Sequence, residues 1–201
     1  MYKYLFSILF ITIFSFGIAS GVTLVDFDIP SSFKSIDIYD SWEDSPFRNG
    51  ELKGHWGLVN DSEIAPVSGA VLAAQRSRYG SNLFGSRIDL ATPFNLKPET
   101  QYVKLKLLRP TNGRVALMGL GSRQERLSQN PFTEQFYQES LNSLPPGEWA
   151  EAIFPIKGAD GVIIRALVIM PDCESPHNLT EDFIYYVSDI ELLPSIENNS
   201  R

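Results

Sequence analysis

From Leu24 onward, apolar positions recur at every second residue or in unbroken runs of six to ten, and Gly, Pro, Asn and Asp divide the runs. That pattern predicts β-strands, because successive strand side chains point to opposite faces and turn residues interrupt the pairing. Strands are predicted over 24–29, 35–38, 52–59, 69–76, 83–90, 102–108, 114–120, 148–155, 162–170 and 183–192. Helical spacing is almost absent. About ten short strands in this length predict an all-β fold, a two-sheet antiparallel sandwich. In 101–108, Val103, Leu105 and Leu107 are expected to face the core while Lys104 and Lys106 face water. Residues 162–170 are nearly all apolar, as suits a central strand covered on both sides. Pro110-Thr-Asn-Gly113 carries the Asn-Gly pair of a tight hairpin, and Pro145-Pro-Gly147 is a second hard turn. The polar, irregular stretch 129–144 is expected to hold a short helix over 133–140.

The first twenty residues differ in kind. Lys3 supplies a positive start, Leu5 to Phe16 is apolar, and Gly17-Ile-Ala-Ser20 offers small residues for cleavage. This predicts a signal peptide over 1–20, since the apolar run falls short of the roughly 20 residues that a bilayer core requires. The chain is therefore expected to be secreted, periplasmic or on the cell surface, with no membrane insertion after cleavage. Residues 21–194 show one composition and no repeat, so they are read as one domain, and 195–201 as a disordered tail. Losing Lys3 takes the formal charge from −7 to −8. Such acidity argues against nucleic acid as a partner, which needs clustered Lys and Arg. Cys173 is the single cysteine, so no intrachain disulfide forms; its place after an apolar strand predicts a partly buried or inert thiol.

The inventory for catalysis is thin. His55 and His177 are the only histidines, neither in a triad context, and no Gly-x-Ser-x-Gly elbow is present. The acid pairs Glu43/Asp44, Glu134/Glu139 and Glu181/Asp182 read as solvated charges, because neighbours in sequence need not face each other across a cleft. The loop 172–182 mixes Asp, Cys, Glu and His, but without the paired ligands of zinc or the glycine of a calcium loop. A non-enzyme is expected. Binding chemistry is better represented between Trp42 and Asn82. Aromatic rings stack on the C–H faces of sugars while Arg and Asn form forked hydrogen bonds to hydroxyls. Trp42, Trp56, Arg76, Arg78, Tyr79 and Asn82 are the candidate ligand residues, with Arg76 and Arg78 on one face of an extended strand. The competing reading makes the tryptophans core residues and the arginines loop braces.

Asp26-Phe-Asp28, Ser41-Trp-Glu-Asp-Ser-Pro-Phe-Arg48, Gln75-Arg-Ser-Arg-Tyr-Gly-Ser-Asn82, Gly147-Glu-Trp149 and Phe183-Ile-Tyr-Tyr-Val-Ser-Asp-Ile190 occur in an order that resembles the jelly-roll carbohydrate-binding modules and related surface proteins of bacterial glycan-utilisation systems. The resemblance implies a jelly roll and a secreted, non-catalytic module binding a poly- or oligosaccharide. It also implies a structural calcium, with Asp26, Asp28 and Asp189 as oxygen donors. Where the family has two acids before the closing Ile, this chain has Ser188-Asp189, one carboxylate short. The alternative function is a structural or adhesion module whose partner is another cell-surface protein.

Overall fold

The computed structural model describes residues 21–60, 64, 69–123 and 132–196. The expected signal peptide and all but the first two residues of the expected tail lie outside them. Among the described residues the chain is all-β, with a single 3-10 turn at Pro30–Ser32. The strands are β1 (Val22–Val25), β2 (Phe33–Tyr39), β3 (Trp56–Val59), β4 (Val71–Arg76) and β5 (Gly85–Asn95), then β6 (Gln101–Leu108), β7 (Val115–Arg123) and β8 (Thr133–Glu139), and finally β9 (Ala150–Ile156), β10 (Val162–Pro171) and β11 (Phe183–Leu193). A six-stranded sheet runs β3-β4-β11-β6-β9 with β1 added on β11, and a five-stranded sheet runs β2-β5-β10-β7-β8. Every pairing is antiparallel. The sheets face each other across the main core, where Ile36, Leu72, Ile88, Leu105, Phe154, Leu167 and Val187 are all essentially sealed from water.

Alternation builds this core. In β6, Val103, Leu105 and Leu107 are buried and Lys104 and Lys106 half-exposed, as the spacing predicts. β10 is the central strand of its sheet and is covered on both faces: Ile164, Leu167 and Ile169 enter the main core, while Ala166, Val168 and Met170 join Ala116, Met118 and Leu120 of β7 in a second cluster. The register shifts between Ile164 and Ala166, and a second shift in β11 lies between Ser188 and Ile190. Each shift places one charged residue, Arg165 or Asp189, at a β-bulge, so the apolar neighbours on both sides keep their place inside. Tyr185 sits within the core and its hydroxyl bonds that of Ser86 across the sheets. Burial pushes its ionisation up to about 12.

Two expectations are corrected. Residues 133–140 hold no helix: 133–139 form β8, which pairs along β7 and inserts Phe136 into the core. The sequence Thr-Glu-Gln-Phe-Tyr-Gln-Glu carries too few apolar residues to show a period, and an existing edge decides its state. Pro110–Gly113 is not a hairpin either, because β6 and β7 belong to different sheets. It is an arch from one sheet to the other.

Candidate functional site at the loop end

Antiparallel pairing brings five connections, 40–55, 77–84, 109–114, 140–149 and 172–182, to one end of the sandwich. Buried Asp40 fastens the first two. Its carboxylate accepts the Trp42 N–H at 3.2 Å, the Ser45 hydroxyl at 2.7 Å and the Ser81 N–H at 3.2 Å. Phe47 meets Phe84 edge-on, ring centres 4.7 Å apart. Held so, Trp42 stands 48% exposed and Tyr79 52% exposed. Trp56, which opens β3 at the same end, is 43% exposed. The rings are neither sealed in the core nor flush with it.

Asp182 fastens the connection 172–182 to the end of β4, accepting from Gln75 Nε2 at 2.6 Å, from the Ser77 hydroxyl at 3.2 Å and from the Arg78 N–H at 2.8 Å. The Arg78 guanidinium lies 4.7 Å from the ring centre of Tyr79 and donates to the Thr180 carbonyl and the Tyr79 hydroxyl. A flat cation and a phenol therefore form one exposed unit. Asn82 is half-buried in the same connection as Tyr79.

Arg76 is corrected. Rather than sharing an outer face with Arg78, it is fully buried and donates to the carbonyls of Pro171, Asp172 and Ser77, with Phe84 under its guanidinium at 5.5 Å. Burial lowers its pKa, an effect opposed by nearby Asp172. The side chain braces loops and has no donor directed at solvent. The reason is position: Arg76 follows Leu72 and Ala74 on the inward face of β4, at the strand's last residue.

At the same end of the sandwich lies a cavity of about 550 Å³, bounded by the arch 110–113, Pro146 and residues 172–179; none of the three rings lines it. Its walls are rigidly held. Asp172 adopts a left-handed backbone, φ 53°, a conformation Asp tolerates when its surroundings fix it. Its carboxylate takes the Thr111 hydroxyl at 2.6 Å and lies 3.5 Å from the buried Arg109 guanidinium. Glu174 accepts the backbone N–H of Arg114. His177 Nε2 donates to the Gly80 carbonyl, 2.8 Å away, and its Nδ1 is buried with no hydrogen-bond partner among the described residues. Both acids on the wall are engaged in structural bonds, which leaves neither placed as a free proton donor opposite a nucleophile. The arrangement suits hydrogen bonding to a held ligand. Sequence reasoning read this polar connection as a loop and nothing more, since only the arch opposite turns it into a wall.

The residues considered for calcium lie elsewhere, around the start of β4 and the β11 bulge. Asp28 accepts the Ala70 N–H at 2.8 Å and Asp26 accepts the Asp28 N–H at 2.9 Å. Burial, with Asp26 and Asp28 nearby, raises the Asp189 pKa. Among the described residues no three His, Cys, Asp or Glu side chains converge closely enough to hold a metal ion.

The Cys173 thiol, expected to be partly buried or inert, is fully buried at 2% exposure, and burial raises its pKa while a bond from Tyr137 lowers it. His55 is exposed. No helix among the described residues is long and apolar enough to cross a membrane.

No protein-family model matches the chain, and no curated protein does. Solved structures are similar in shape. The CBM22-1–GH10 modules of endo-1,4-β-D-xylanase 10B from Clostridium thermocellum, complexed with xylohexaose, align at 11% identity over 91% of this chain with a TM-score of 0.49; the match spans 29% of that chain, under a third of its length. The family 11 carbohydrate-binding module of a cellulosomal cellulase from Clostridium thermocellum aligns at 10% identity over 90% of this chain and 98% of its own, TM-score 0.49. The CBM22-2 xylan-binding domain of Xyn10C from Paenibacillus barcinonensis aligns at 12% identity over 71% and 88%, TM-score 0.48.

Proposed function

We propose that this chain is an exported, non-catalytic carbohydrate-binding module that takes its ligand at the loop end of the sandwich. One observation carries the reading: Trp42, Trp56 and Tyr79, each over 40% exposed, belong to the same end as a cavity walled by hydroxyl, amide and imidazole groups. Large rings are commonly buried, and leaving three of them about half in water gives up part of a burial worth roughly 1.5–3 kcal/mol apiece when complete. A pyranose ring recovers that contact through its C–H face, while Arg78 and the cavity wall supply directional bonds to its hydroxyls. The wall acids are tied to Arg109, Thr111 and Arg114, which supports holding a glycan without cleaving it.

A glycan array followed by titration calorimetry tests this. Trp42→Ala and Tyr79→Ala are each expected to weaken glycan binding at least tenfold, about 1.4 kcal/mol, with the melting temperature nearly unchanged because both rings are exposed. Full affinity in the double variant, or no binding across plant, host and microbial glycans, overturns the reading.

A further inference from the structure

The arch 110–113 also borders a smaller hollow of about 150 Å³, lined by Arg109, Arg114, Val115, Glu139, Ser143 and Leu144 among others. Pockets that house whole ligands run from roughly 300 Å³ upward, so this one has room for a side group. Arg109 is its unusual member. The residue is 3% exposed. Its Nη1 donates to the Thr111 carbonyl and hydroxyl and its Nη2 to the Gly113 carbonyl, but Nε is buried with no acceptor among the described residues. A buried donor on a charged group is costly to leave unpaired. Asn142, on the same wall, has nothing to offer it: its amide oxygen takes the Ile153 N–H and its amide nitrogen donates to the Glu151 carbonyl.

We propose that this hollow receives the acetyl group of an acetylated sugar, its carbonyl oxygen accepting from Arg109 and its methyl resting on Val115 and Leu144, while the sugar ring stays outside. The proposal rests on the carbohydrate reading above and names the class of sugar. The unpaired group is a donor, so the ligand has to bring an acceptor, and a bond from a charged donor is stronger than one between neutral groups. Val115 and Leu144 are buried apolar side chains, a surface that a methyl group uses and a bare hydroxyl does not. Charge then decides between a carbonyl and a carboxylate. Arg109 lies 3.5 Å from Asp172, while Arg114 pairs with Glu139 at 2.6 Å and lies 3.9 Å from Glu174. Two cations against three carboxylates leave the surroundings negative, so an anion enters against the local field and a neutral carbonyl does not.

Titration calorimetry on the full exported chain separates the possibilities. N-acetylglucosamine and N-acetylgalactosamine are compared with glucose and galactose, and O-acetylated xylo- and manno-oligosaccharides with the same chains after deacetylation, so that one arm reads an amide acetyl and the other an ester. In the arm that binds, the acetylated member is expected to bind at least fivefold tighter. Ser143→Tyr, which fills the hollow from an exposed position, should bring the two members within twofold of each other. The Arg109 Nε–H signal in proton–nitrogen spectra of the unaltered protein gives a readout that needs no variant: the acetylated sugar and N-methylacetamide should shift it, and glucose and acetate should not. Equal affinity for both members of each pair, with the Arg109 signal unmoved, overturns the acetyl site while the carbohydrate reading stands. A shift by acetate and not by N-methylacetamide overturns it in favour of an anion site. Absence of binding by any sugar, acetylated or not, removes the carbohydrate reading and the acetyl site with it.

Discussion

At the scale of single residues, two arginines separated by one serine take opposite roles. Arg78 is at the surface, its guanidinium against Tyr79, whereas Arg76 is sealed and bonds three carbonyls. Two of those carbonyls, Ser77 and Asp172, belong to connections at the loop end and the third, Pro171, ends β10, so the charge acts as a clamp. A buried guanidinium is costly to desolvate, and that cost is met only when its donors are satisfied. Arg76→Met keeps the volume but removes the donors and leaves Pro171, Ser77 and Asp172 short of partners. It is expected to destabilise the fold by about 3 kcal/mol, read as a lower urea midpoint with an unchanged slope. Arg76→Lys should rescue little, because one ammonium cannot span three carbonyls fixed for a planar fork. The period-two rule was applied to Arg76 and Arg78 as though the strand continued through both, but β4 stops at Arg76. The predicted span 69–76 already ends at Arg76, so the period of two does not extend to Arg78, whose turn is set by Asp182 bonding Ser77 and Arg78 from more than a hundred residues away.

At the scale of elements, strands with a regular period or a long apolar run were legible in the sequence, and those that depend on a neighbour were not. β6 and β10 carry their own signal: alternation with lysines in one, continuous apolarity in the other. β8 carries none, and it becomes a strand because β7 offers an open edge. The arch at 110–113 contains hairpin residues yet joins different sheets, because Asn-Gly fixes local backbone freedom and not the partner of the following strand. Close approach between strands leaves a further mark. At Gly121 on β7, an added side-chain carbon would collide with the Ile163 carbonyl of β10. The obstacle is backbone in the centre of a sheet, so it has no rotamer through which to escape. Gly121→Ala is expected to cost about 1–3 kcal/mol and to raise hydrogen exchange along β7 and β10 before β4 or β11. Uniform loss of protection across both sheets would show instead that the two sheets open as one unit.

At the scale of the whole molecule, charge and surface together distinguish a sugar from a protein as the partner. The chain carries 24 acidic and 17 basic residues, a formal net charge of −7. Around the proposed cavity, Asp172 and Glu174 are already bonded to Arg109, Thr111 and Arg114, so the local surface offers stacking and neutral hydrogen bonds more than free charge. An uncharged glycan bound there displaces almost no counterions, and its affinity should barely respond to salt. A surface protein docking on so acidic a molecule would instead need a basic patch, and its association would be steered by charge and screened as salt rises. Between about 0.05 M and 0.5 M sodium chloride the screening length falls roughly threefold. Over that range calorimetric affinity for the glycan is expected to change less than twofold, with the enthalpy nearly constant. A tenfold loss would mean that the bound species is held by charge, and would transfer the exposed rings from sugar recognition to the rim of a protein interface.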